Sequence, residues 1–159
     1  ATVEDAEVIA RHRALMFTEM HDLVPERTAA LLEQTIRYLR VAMPAGEYVG
    51  WMVCPVGEPG TVVAGAGAQV RHTLPQPRGI PGVSQAPQAI VLNVYTETAW
   101  RRRGLAELLM QRVIRWAGDA GMHTLVLHAS TAGRPLYERI GFTATNEMRY
   151  TGALGKEEA

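Results

Sequence analysis

The chain has 159 residues, 47% of them apolar and 20% charged, with 16 basic residues against 16 acidic ones. That length suffices for a core and suits one domain, expected over residues 1–159, and the composition excludes a disordered chain. Zero net charge gives no global field for nucleic acid or an anionic membrane, and a single cysteine excludes an internal disulfide or a cysteine-rich zinc site.

The opening "ATVEDAE" lacks the basic and apolar regions of a signal peptide. No stretch approaches the ~18 apolar residues of a membrane span, so a cytoplasmic protein without a membrane partner is expected. Thr2 with Asp5 three residues on is a near capping box. The helix behind it places Ala6, Ile9, Ala10, Met16, Phe17 and Met20 on one face at about 100° per residue. Arg13 falls inside that stripe. The favoured reading lays its stem on apolar surface with its head in water; the alternative faces it toward a substrate pocket.

Pro25 suits the first turn of a second helix, with Leu32, Ile36, Leu39 and Met43 spaced for one buried face and with Pro44 and Gly46 ending it. "EYVGWMVC" and "TVVAGAGAQVRH" are strand candidates around the turn-rich "PVGEPG". Cys54, inside the first of these, reads as a buried, inert thiol. Residues 73–88, rich in proline and glycine, read as a long mobile loop within the domain. "AIVLNVYTET" is apolar on both faces apart from Asn93, as a covered central strand should be.

Next comes "WRRRGLAELLMQRVIRWAGDAG", three arginines and a glycine ahead of a helix that buries Leu105, Leu108, Leu109, Val113 and Trp116. Gly121 is a plausible C-terminal cap. "HTLVLHA" reads as a strand, "GRPLYERI" as a short helix and "FTATNEMRY" as a last strand. Two helices, a hairpin, then strand–helix–strand–helix–strand make an α/β or α+β sandwich around a mixed sheet.

A strand that turns tightly into a helix leaves backbone N–H groups pointing outward, an anion site suited to phosphate. The stretch Arg101, Arg102, Arg103, Gly104, Leu105 and Ala106 supplies such a turn: a glycine for close approach, a small residue in the first helical turn, and arginines for charge-assisted bonds. A solvated surface cluster is the alternative reading of this fragment. No Gly-Lys-Ser/Thr follows, so it is not a P-loop.

"LNVYTETAWRRRGLAELLM" resembles the central motif of the GNAT superfamily of acetyl-CoA-dependent acetyltransferases: a strand, then Arg/Gln-x-x-Gly-x-Gly/Ala opening a helix, met here by Arg101, Gly104 and Ala106. "ASTAGRPLYERIGF" is similar to the superfamily's second signature, a Leu-Tyr-Glu segment before Gly-Phe, in the expected order and spacing. The resemblance covers about residues 1–150. It implies a mixed, mostly antiparallel sheet with helices on both faces, splayed after Tyr95, with acetyl-CoA in the gap between that strand and "HTLVLHA". It implies that amides of residues 101–106 hold the pyrophosphate and that Val94, Tyr95 and Thr96 pair with the pantetheine arm, a free amide there polarising the thioester carbonyl.

Ser130 stands where the superfamily often has Asn, a cofactor contact of another type. The superfamily's first strand is short or missing here, and "QAI" (88–90) replaces the region where a base glutamate often lies. The implied reaction is transfer of acetyl to a small-molecule or peptide amine by direct attack in a ternary complex, with no metal and with a homodimer left open. An amine of pKa about 10.4 is neutral in roughly one molecule in 10³ at pH 7, about 4–5 kcal/mol of cost, so a base must take its proton. Glu97, His128 and a water held by Asn93 are the base candidates, and Glu147 on the last strand could face the acceptor. His12, His21, His72 and His123 are scattered and read as surface or locally satisfied. Tyr137 matches the superfamily's tyrosine and is expected to protonate the leaving thiolate. The rivals are a non-catalytic acyl-CoA-binding module of the same fold and a nucleic-acid binder using the arginines; neutral charge and the lack of interleaved aromatics oppose the latter.

Overall fold

The computed structural model describes residues 1–20, 23–74 and 87–150. Most of the loop expected over 73–88 therefore lies outside the described residues, as does His21. Helix α1 (Ala6–Glu19) and helix α2 (Thr28–Ala42) precede strands β1 (Tyr48–Val53), β2 (Ala64–Arg71) and β3 (Gln88–Thr96). Helix α3 (Leu105–Asp119), strand β4 (Thr124–Leu127) and the short helix α4 (Arg134–Arg139) follow. The sheet order is β1-β2-β3-β4; the first two pairings are antiparallel and β3–β4 is parallel.

Two apolar layers enclose this sheet. Ala64, Ala66, Ala68, Ala89 and Val91 meet Leu109, Met110 and Val113 of α3, with Trp51 and Trp116 edge to face at 5.3 Å. On the other face Ala6 and Ile9 of α1 and Leu39 and Ala42 of α2 close around Tyr48. The alternation "AGAGA" (64–68) explains how both layers fit, since adjacent strand residues face opposite sides. Its alanines line the α3 layer, and Gly65 and Gly67 face α1 and Tyr48. A Cβ on Gly67 would collide with the Tyr48 hydroxyl. That glycine is a seat for the tyrosine.

Three expectations need correction. The first turn, Val3–Asp5, is a 3₁₀ turn, and α1 begins only at Ala6, although the Asp5 carboxylate does accept from the Thr2 amide at 2.7 Å. In α1, Ala14 and His12 are buried, whereas Met20 at the expected end of the apolar stripe is exposed. The stripe is cut short because α1 ends at Glu19, which leaves Met20 as its C-cap. "FTATNEMRY" is not a strand: residues 143–150 are exposed and join no ladder, with Met148 and Tyr150 in solvent. An isolated strand has no stability of its own, and no neighbour pairs with this one among the described residues.

The sheet splays earlier than expected. β3 and β4 pair only from Gln88↔Thr124 to Val91↔Leu127, so the gap opens at Leu92 rather than after Tyr95. Asn93 is the cause. It sits at φ +57°, and the β2–β3 register slips there, from Gly67↔Leu92 to Gly65↔Tyr95. This β-bulge places two β3 residues against one β2 residue and bends β3 away from β4.

Candidate active site

Beyond Val91 no strand among the described residues pairs with one edge of β3. The Glu97 amide donates to the Val63 carbonyl (2.9 Å) on the β2 side. By alternation the main-chain groups of Val94 and Thr96 point to the opposite, open edge. There the Thr96 carbonyl accepts from Arg101 Nε at 2.9 Å. The Val94 and Thr96 amides remain as donors along the splay, while Tyr95, between them, pairs with Gly65 on β2.

The turn from β3 into α3 carries two left-handed residues, Arg102 at φ +63° and Gly104 at φ +75°. Mixed right- and left-handed conformations aim successive amides into one concavity, and the α3 dipole adds partial positive charge. Among the described residues, the amides of residues 102–107 donate to no backbone acceptor, and no side chain caps α3 at Gly104. A Cβ on Gly104 would meet no protein atom within 4 Å, so the space before the turn is open. Leu105 and Ala106, both half-buried, form the first turn behind it.

The arginines divide their work. Arg101 grips both oxygens of Glu19 at 2.7 Å and lies over the Tyr95 ring at 5.6 Å, while its own amide bonds to the Thr98 carbonyl (3.3 Å). Arg103 donates to the Ala99 carbonyl (3.2 Å) and covers Trp100. These two side chains hold the turn, and Arg102 is exposed. Glu19 also accepts from the Tyr95 hydroxyl at 3.0 Å, tying the end of α1 to the splayed strand. Burial, and next the bond to Glu19, push the Tyr95 hydroxyl above its usual pKa.

Tyr137, on α4, packs into the α3 layer together with Val94, Leu105 and Leu127, the residues flanking the splay. Its ring meets Phe142 edge to face at 6.1 Å, and burial raises the pKa of its hydroxyl. Ser130 is exposed, and its Oγ accepts from the Gly133 amide at 3.1 Å, bracing the turn into α4.

The base candidates fall in different places. Glu97 is held by Arg11 (2.7 Å) and by His12 Nε2 (3.3 Å). His128 pairs at 3.2 Å with Glu147 on an exposed surface, away from any layer of the core. Asn93 is buried with both ends of its amide bonded: its Oδ1 accepts from Arg13 at 2.6 Å and its Nδ2 donates to the Tyr48 hydroxyl at 3.2 Å. The Arg13 head is thus not simply solvated as expected; half-buried, it stacks on Phe17 at 4.7 Å and meets the bulge. This Tyr48–Asn93–Arg13 string and the Glu19 tie were missed in the sequence, where the Ala-Gly alternation and a lone amide in an apolar strand were the available signals.

His12 is satisfied locally, as expected, but is buried, 5.1 Å from the Tyr95 ring. Burial first, and the Arg11 charge second, lower its pKa from 6.5, against the opposing pull of Glu97. The unfolded chain therefore binds a proton at higher pH than the fold does. Stability is complete above the unfolded value of 6.5 and declines as pH falls through it toward the folded value. The melting temperature is expected to drop as pH is lowered from roughly 7 into that window, and His12→Gln is expected to flatten the drop. A His12→Gln profile parallel to the wild type would assign the drop to other groups.

Among the described residues no group of three His, Cys, Asp or Glu side chains could hold a metal ion, and no helix is long and apolar enough to cross a membrane. The family model described as acetyltransferase (GNAT) family matches residues 12–142. The fold is similar to that of a GCN5-related N-acetyltransferase from Ralstonia eutropha JMP134: 30% identity, TM-score 0.81, and 94% of each chain covered. It is also similar to a predicted acetyltransferase with acetyl-CoA from Clostridium acetobutylicum: 22% identity, TM-score 0.80, and 96% of this chain and 92% of that one covered. An aminoglycoside acetyltransferase from an uncultured soil metagenomic sample shares 14% identity at TM-score 0.67, covering 98% of this chain and 95% of that one. No curated protein matches the sequence.

Proposed function

Because the chain belongs to the GNAT acetyltransferase family, whose members use acetyl-CoA as acetyl donor, we propose that it transfers acetyl from acetyl-CoA to a primary amine of a small molecule or peptide, by direct attack in a ternary complex. The observation that carries this reading is the open row of amides at residues 102–107, set around the left-handed Gly104 beside a strand edge that no strand covers among the described residues. Phosphate oxygens fit such a cradle, and an extended amide-bearing arm fits an unpaired strand edge. Acetyl-CoA supplies the thioester, whose C–S bond breaks as the amine nitrogen takes the acetyl carbon.

In this assignment the amides of Arg102, Arg103, Gly104, Leu105 and Ala106 bind the pyrophosphate. Arg101 acts through Glu19 and Thr96, fixing the turn and leaving the phosphate to the backbone. The Val94 and Thr96 amides pair with the pantetheine arm, and one of them polarises the thioester carbonyl. Ser130 contributes from the start of α4. Tyr137 holds the proton that goes to the sulfur. Glu97, already paired with Arg11 and His12, takes the amine proton only through an intervening water.

Acetyl-CoA and free CoA are each expected to raise the melting temperature, because a ligand bound only by the folded state stabilises it by mass action, about 2.7 kcal/mol at 100 times its Kd. Adenosine alone is expected to do far less, having no pyrophosphate. An unmoved thermal transition at saturating CoA would overturn the donor assignment. CoA release across a panel of amines then tests transfer itself, and a protein that binds CoA but turns over no amine would be a binding module.

A further inference from the structure

We propose that Arg13 is an anion-recognition residue and that the acceptor is an amine bearing a carboxylate, an inference that rests on the acetyltransferase reading above. Among the described residues every other arginine is exposed, and those held in close ion pairs have a carboxylate partner. Arg11 pairs with Glu97, Arg101 with Glu19 and Arg139 with Glu107, all at 2.7–2.8 Å. Arg13 differs. Its guanidinium is half-buried, its single hydrogen bond goes to a neutral amide oxygen, and among the described residues no carboxylate lies within 4.0 Å of it. A guanidinium carries five donors in a planar fork, so four have no protein acceptor among the described residues. Taking a cation partly out of water without a counter-charge is costly, and burial accordingly lowers the pKa of this group.

The support beneath Arg13 is built with unusual care. Asn93 adopts the left-handed conformation that, after glycine, asparagine takes most readily. In that conformation its carbonyl is turned to Arg13 and its NH₂ to the Tyr48 hydroxyl, which occupies the space that only a glycine at position 67 leaves free. Phe17 closes one face of the guanidinium. The fork is thereby fixed in orientation before any ligand arrives, which is what bidentate recognition of a carboxylate requires.

Location supplies the link to the reaction. Asn93 lies two residues past the last β3–β4 pair, where the splay opens, and one residue before the strand edge assigned to the thioester arm. An acceptor anchored by its carboxylate at Arg13 would present its amine at the splay. Of the other charges in the neighbourhood, Arg11 and Glu97 pair with each other and Glu19 pairs with Arg101, so they offer no competing counter-ion.

The test compares free amino acids and ω-amino acids with the carboxamide of each, following CoA release by wild type and Arg13→Gln. The best acceptor is expected to be a free acid, preferred over its carboxamide by about tenfold or more in kcat/KM, as a charge-assisted fork implies. In Arg13→Gln that ratio is expected to fall to near one, and Arg13→Lys to restore it in part. A carboxamide used as well as its acid, or an acid preference that survives Arg13→Gln, would overturn the proposal. Should wild type turn over none of these amines, calorimetry on the CoA-saturated protein decides. Free acids bound by wild type and not by Arg13→Gln would uphold the anion site while overturning the transfer reading, and no such difference would overturn the site. The CoA-induced rise in melting temperature of Arg13→Gln reports that the variant is folded with its donor site intact.

Discussion

Gly104→Val is expected to abolish binding of CoA and acetyl-CoA in a protein that remains folded. The backbone at Gly104 is left-handed, and a side chain there costs roughly 1–2 kcal/mol. For a domain of this size that lowers the melting temperature by only a few degrees, about 2–4 °C per kcal/mol. No protein atom lies within 4 Å of the Cβ position, so valine meets no internal clash and the fold survives. The same emptiness is what the pyrophosphate needs, and the valine methyls would fill it. Gly104→Ala separates the two effects, since it carries similar backbone strain with less bulk and should bind CoA with intermediate affinity. Calorimetric titration of each variant, beside its melting curve, checks the argument. Wild-type CoA affinity in folded Gly104→Val would show that the phosphate lies elsewhere.

The parts of this fold that follow from local periodicity were legible in the sequence. Of the face expected for α3, Leu109 and Val113 are buried and Leu105 and Trp116 half-buried, but Leu108 is exposed and Met110 and Ala117 are buried instead. The covered strand, 88–96, appears close to where the residues predict it. The arginine turn was legible too, because Gly104 marks a left-handed position and the helix that follows is strongly amphipathic. What the residues could not disclose was long-range pairing. That Arg101 would turn back to Glu19, 82 positions away, depends on where α1 ends relative to β3. Asn93 stood out as the polar residue inside the apolar run from Ala89 to Val94, yet nothing local says that it bulges, or that Tyr48 and Arg13 converge on it from 45 and 80 positions away. The expected last strand failed for a related reason. Alternation in "FTATNEMRY" gives a residue pattern a strand could use, but a strand exists only through a partner.

Tyr137→Phe is expected to lower kcat by roughly 10²-fold, within the range for removal of a general acid, with little change in CoA affinity. The substitution is clean in this fold. The ring's contacts with Phe142 and the α3 layer are carbon contacts that phenylalanine keeps. Among the described residues the Tyr137 hydroxyl forms no hydrogen bond, so its removal strands no buried partner and the melting temperature should hold. Burial raises the hydroxyl's pKa, so it is protonated throughout the neutral range and able to give a proton to a departing thiolate. A loss confined to turnover is the mark of an interaction made mainly in the transition state. Steady-state kinetics with an acceptor identified by the amine panel, together with CoA binding and melting curves for both proteins, separate the roles. Full activity in Tyr137→Phe would make Tyr137 a packing residue of α4 and pass the proton to water, whereas a joint fall in stability and CoA affinity would point to structural damage instead of lost acid catalysis.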